Sequence, residues 1–106
     1  MTISQLDQDR VAAWCEQRVP VHVRDQVALG YTTRGASITL VERRAPWDGV
    51  GEWTARPFAQ LRRTGSVWRL YWPDRNTRWH LRDEFPATGD IQTLLDIVAD
   101  PRNAFE

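Results

Sequence analysis

Asp48 and Glu52 stand four residues apart in the stretch Ala45-Pro-Trp-Asp-Gly-Val-Gly-Glu-Trp-Thr54, flanked by Trp47 and Trp53 and preceded by Arg43 and Arg44. Two carboxylates in a glycine-rich loop beside indole rings are the residue types that ligate a hard cation or divide acid and base roles. The same residues also have a structural reading, in which Asp48 caps a turn at Gly49, Glu52 pairs with an arginine, and the indoles plug the end of a sheet. A second constellation lies downstream, where Trp68, Arg69, Tyr71, Trp72, Arg75, Arg78, Trp79, His80 and Arg82 interleave cations with aromatic rings. Guanidinium groups take phosphates bidentately and aromatic faces stack on bases, so a surface presenting both suits single-stranded nucleic acid. His80 could act as a base near neutral pH, but the sequence places neither a nucleophile nor an orienting carboxylate next to it.

Other chemistry is excluded by what is missing. All 14 basic residues are arginine, so a Schiff-base lysine or a P-loop lysine is ruled out, although a GC-rich genome would also explain the missing lysine. The single Cys15 cannot form an internal disulfide and reads as a buried structural thiol next to Trp14. With His22 and His80 it cannot close a structural zinc site without carboxylates. No Gly-x-Ser-x-Gly, Gly-x-Gly-x-x-Gly, P-loop or Cys-x-x-Cys pattern occurs, so no metal site and no cofactor are expected. No apolar run has spanning length and the start lacks a signal-peptide shape, so the expectation is a cytoplasmic protein without a membrane partner.

The elements that would position these residues follow from periodicity. Residues 3–18 read as a helix carrying Ile3, Leu6, Val11 and Trp14, capped by Ser4 or Thr2 and stopped by Pro20. From Pro20 the period becomes two, with Val21, Val23, Val27, Leu29 and Tyr31 on one parity. A hairpin is expected between 26–33 and 36–44, followed by the 45–54 loop. A third strand is expected at about 55–63, with Pro57 marking an edge or a strand start, and a second hairpin at 67–72 and 77–82. Thr88 or Asp90 opens a final helix bearing Ile91, Leu94, Leu95 and Val98, which Pro101 ends. The expected fold is α+β in one domain over residues 1–106: an N-terminal helix, an antiparallel meander of about five strands, and a C-terminal helix. Alternation then expects Trp68, Leu70, Trp72, Trp79 and Leu81 toward the helices, leaving Arg69, Tyr71, Arg78, His80 and Arg82 outside.

The formal net charge of zero conceals a division along the chain. From Arg18 to Arg82, 12 arginines face five carboxylates, a net +7, while the first 17 residues carry −2 and the last 24 carry −5. Local charge, not the total, governs attraction to a polyanion.

Three segments carry a family resemblance: Arg18-Val-Pro-Val-His-Val-Arg-Asp-Gln26, Leu40-Val-Glu-Arg-Arg-Ala-Pro-Trp-Asp-Gly-Val-Gly-Glu-Trp53 and Leu70-Tyr-Trp-Pro-Asp-Arg-Asn-Thr-Arg-Trp-His80. Across nearly its whole length the chain resembles a family of short bacterial proteins known only as a domain of unknown function. The resemblance implies a free-standing protein and supplies no activity, cofactor or partner.

The expected function is a non-enzymatic binding module for nucleic acid or another phosphate-bearing ligand. Its ligand residues would be Arg43, Arg44, Arg69, Arg78 and Arg82, with Trp47 and Tyr71 as stacking platforms. Two alternatives stand beside it: a metal-dependent hydrolase or nuclease using Asp48, Glu52 and His80, and a protein–protein adaptor or homodimer.

Overall fold

The computed structural model describes residues 3–46 and 48–103. Helix α1 spans Gln5–Arg18; the hydroxyl of Ser4 accepts from the Asp7 amide at 3.2 Å, and Asp7 lies in the first turn, where the helix dipole favours an acid. Val11, Trp14 and Cys15 are its buried face, at the three- and four-residue steps that share one side of a helix. Leu6, expected on that face, is instead 65% exposed. The helix ends at Val19, whose extended backbone is the conformation favoured before proline.

Residues 21–26 depart from the expected strand. Val21–Val23 form one 3-10 turn, closed by Val23 and Arg24 amides on the carbonyls of Pro20 and Val21. Arg24 then reaches back to the carbonyls of Val19 and Glu16 at the end of α1. The chain is thereby tied to the helix, and the sheet starts only at Val27.

Five strands follow in sequence order: β1 Val27–Arg34, β2 Ser37–Arg44, β3 Thr54–Thr64, β4 Val67–Pro73 and β5 Trp79–Leu81. Each pairs antiparallel with the next, giving the order β1-β2-β3-β4-β5. Pro57 sits inside β3, a central strand. Pairing of β3 with β4 begins only at Gln60, so Pro57, which has no amide to donate, stands outside that ladder. Beside Pro57 the register shifts: Leu40 faces Ala59 and Val41 faces Pro57, which leaves Phe58 as a bulge. Phe58 and Ala59 are both buried, so the bulge delivers two successive side chains to the core.

After β5 the chain returns to β4, where Trp68 and Thr88 exchange backbone bonds of 2.7 and 3.1 Å. Helix α2, Ile91–Ala99, is capped by Asp90 accepting from the Gln92 amide at 3.0 Å. Ile91, Leu94, Leu95 and Val98 are buried in a single core with Val11, Trp14, Ile38, Leu40, Phe58, Leu61, Trp68 and Leu70. Both helices therefore cover one sheet face, and the fold is α+β. Among the described residues, no helix is long and apolar enough to cross a membrane.

The β4–β5 register corrects the expected facing of the last hairpin. Tyr71 faces Leu81, Trp72 faces His80 and Pro73 faces Trp79, and residues directly opposite share a sheet face. His80 is thus on the helix side with Trp72. Trp79 and Leu81 are on the opposite side with Tyr71, and Leu81 is 41% exposed. Trp72 keeps the parity of Trp68 and Leu70 but is exposed, and its ring stacks on His80 with centroids 4.8 Å apart.

Candidate functional site: the helix-free sheet face

The pairing of the strands arranges the uncovered face in rows. One row runs Arg34, Ser37, Arg62, Arg69 across β1 to β4. The next runs Thr32, Thr39, Gln60, Tyr71, Leu81 across all five strands. Beyond it lie Gly30, Val41 and Pro57, with Pro73 and Trp79 on β4 and β5, and then Ala28, Arg43 and Ala55. The face thus passes from cationic through polar to apolar before reaching Arg43.

Side-chain contacts hold the middle of this face in place. Gln60 donates through Nε2 to the Thr39 hydroxyl at 2.9 Å and accepts from Arg62 Nε at 2.5 Å. The Arg62 guanidinium lies over the Tyr71 ring, 4.0 Å from its centroid. A cation over an aromatic face is attracted by the ring quadrupole, and the Gln60 bond fixes the guanidinium plane.

Both faces carry more arginine than carboxylate, and the helix-free face carries no strand carboxylate at all. Within the five strands there is one carboxylate, Glu42, and its parity places it on the helix side. There it is buried and accepts from Arg44 Nε at 2.8 Å, with Arg56 Nη2 at 3.9 Å. The third helix-side strand arginine, Arg63, donates to the Gly65 carbonyl. Arg34, Arg43, Arg62 and Arg69 share the opposite face with no strand carboxylate.

A second polar cluster closes the β4–β5 turn. Asp74 Oδ1 accepts from the Asn76 and Arg78 amides at 2.8 and 3.0 Å, and Oδ2 lies 2.8 Å from His80 Nε2. An ionised carboxylate can only accept, so it is the Nε2–H of His80 that donates this bond. The His80 bond, followed by the Arg78 amide, holds the Asp74 carboxyl below the ordinary carboxylate range. An orienting carboxylate for His80 therefore exists, which sequence proximity alone did not establish.

A family model described as Domain of unknown function (DUF3024) matches residues 1–106. The chain belongs to this family. Comparison with curated proteins and with solved structures finds no match. Membership in this domain of unknown function brings no assigned site, so the geometry alone distributes the candidate residues.

Three of the seven expected ligand residues, Arg43, Arg69 and Tyr71, share the helix-free face. Arg44 is on the other side, bound to Glu42. Arg78 precedes β5 and is exposed, its amide committed to Asp74. Arg82 donates to Glu84 at 3.0 Å and lies over Phe85, so it joins the return toward α2 and not the open face. Trp47 falls outside the described residues. Arg34 and Arg62, not among the expected residues, join the face through register; alternation of β3 counted back from β4 is the signal that finds Arg62.

The expected acidic site does not assemble. Asp48 Oδ1 accepts from the Val50 amide at 3.0 Å, closing its own turn, with Gly49 and Gly51 at φ 74° and 98°. Glu52 and Trp53 are exposed. Among the described residues, no three His, Cys, Asp or Glu side chains gather where a metal ion could be held, and Asp48, Glu52 and His80 are no exception. Cys15 is buried in the core, and His22 is exposed within the 3-10 turn.

Proposed function

We propose that this protein is a non-enzymatic binding module whose helix-free sheet face takes nucleic acid. The observation that carries the reading is the segregation of charge across the sheet. The sole strand carboxylate is spent on the helix side, while Arg34, Arg43, Arg62 and Arg69 share the other face without one. Arginine presents a planar fork suited to phosphate oxygens, and strands without a carboxylate on this face leave that fork available. The aromatic and apolar residues beyond the cationic row add a surface that inorganic phosphate alone would not use. A metal-dependent hydrolase centred on Asp48, Glu52 and His80 has no such support.

Fluorescence anisotropy with a labelled oligonucleotide at several salt concentrations tests the reading. Engagement of the four arginines by a single strand gives a log–log slope of about −3, at about 0.7 per phosphate contact. Replacing all four with glutamine should flatten the slope. A salt-independent affinity, or no binding to any oligonucleotide, would sink the proposal.

A further inference from the structure

We infer that the nucleic acid this face takes is single-stranded, with its phosphates along the Arg34–Arg62–Arg69 row and its bases over the Tyr71, Trp79 and Leu81 side. The inference rests on the nucleic-acid reading above and concerns the form of the polymer and its placement.

The order of the rows supports it. The cationic row crosses four strands, about 14 Å at the usual interstrand spacing. One row away, about 7 Å along the strands, Gln60 and Tyr71 offer a hydrogen-bonding amide and an aromatic ring. Beside Tyr71 is Leu81, and the following row holds Trp79 and Pro73. An unpaired nucleotide has the same sequence of chemistries: a charged phosphate, a polar sugar, and a flat base with apolar faces. Laid with its backbone on the arginine row, it meets each in turn.

A duplex does not match this order. Its phosphates are outside and its bases are stacked within, legible only to an element that enters a groove. Here both α-helices are on the opposite side of the sheet, and no described helix rises from the open face. The Tyr71–Leu81–Trp79 side would meet a second row of phosphates, where apolar groups gain nothing.

Arg62 connects the two functions. Its Nε is engaged by Gln60 and one face of its guanidinium by Tyr71. Its terminal nitrogens remain for phosphate, and the other guanidinium face remains for a base, a stacking partner that single-strand readers use. The Tyr71 ring thus supports the arginine that would carry the contact.

The test compares four labelled probes on the intact protein at one salt concentration: a 12-nucleotide single strand, its duplex, an abasic strand of equal length, and polyphosphate. The expected result is single-strand binding at least about tenfold tighter than duplex or abasic binding, the abasic probe measuring what the bases contribute. Trp79→Leu should lower single-strand affinity several-fold and leave polyphosphate affinity unchanged; an unaltered thermal melt shows that the variant folds. Duplex or abasic strand bound as tightly as the single strand would overturn the single-strand inference while leaving the cationic face in place. Loss of polyphosphate affinity in a folded Trp79→Leu would overturn the assigned placement. Failure of every nucleic-acid probe to bind would remove both readings.

Discussion

The guanidinium of Arg62 lies 4.0 Å from the centre of the Tyr71 ring, although the two residues are not paired across their strands. Arg62 faces Arg69, and Tyr71 faces Gln60. The contact is diagonal. Diagonal neighbours on an antiparallel pair are within reach of long and aromatic side chains. Folding has therefore placed two cations side by side and given one of them an aromatic support.

That diagonal contact should appear as a coupling in a double-mutant cycle. Arg62→Ala, Tyr71→Leu and the double variant, compared by urea unfolding, should give about 0.5–1 kcal/mol, the range for a partly exposed cation–π pair. A coupling of zero would mean that the stack contributes nothing in solution.

Arg69→Gln should separate stability from binding. Like charges directly opposite on neighbouring strands destabilise by about 0.2–1 kcal/mol, so removing one should raise the urea midpoint at low salt. The gain should shrink as salt screens the pair. The same substitution should weaken oligonucleotide binding and reduce the magnitude of the salt slope by about 0.7. A variant that is both less stable and equally good at binding would contradict the placement of Arg69 on a repulsive, ligand-facing row.

Asp74 makes the β4–β5 turn sensitive to acid. Its carboxyl is held below the ordinary range, first by His80 and then by the Arg78 amide, so the folded state favours the ionised form. The resulting stabilisation is complete above the pKa of an unfolded aspartate and is lost as the pH falls through the lower folded value. Asp74→Asn should therefore melt below the wild type at neutral pH, and the two melting curves should converge in acid. A gap that persisted unchanged into acid would exclude the carboxylate as its cause.

Gly35 turns β1 into β2 with φ +58° and open space where a side chain would stand. The cost of Gly35→Ala is then conformational and not steric, about 1–2 kcal/mol by denaturant unfolding. Gly35→Asn should cost less, because asparagine tolerates the left-handed region. Equal losses for both would point to a contact at Gly35 instead of its backbone.

Where structure follows from neighbours in sequence, this chain was legible. Ser4 and Asp90 cap their helices because a short polar side chain before an apolar stripe can meet the first free amides. The Val27–Arg34 and Ser37–Arg44 hairpin follows from alternation around Gly35. Val21 and Val23 also alternated, yet they form a 3-10 turn because Pro20 and Arg24 bind them to the end of α1.

The sites were less legible, because they depend on which face each strand presents. The Asp74–Arg78 turn sets His80 opposite Trp72, and a register differing by one residue would have exchanged the faces of the whole last strand. Likewise, the Phe58 bulge changes the parity of β3 midway, so the arginines on either side of it cannot be assigned by simple counting. Composition alone established an arginine-only, lysine-free chain with a basic middle and acidic ends. Only the assembled sheet decided that Glu42 neutralises arginines on the helix side, leaving Arg34, Arg43, Arg62 and Arg69 together on the other. Charge is a property of residues, but a charged face is a property of register.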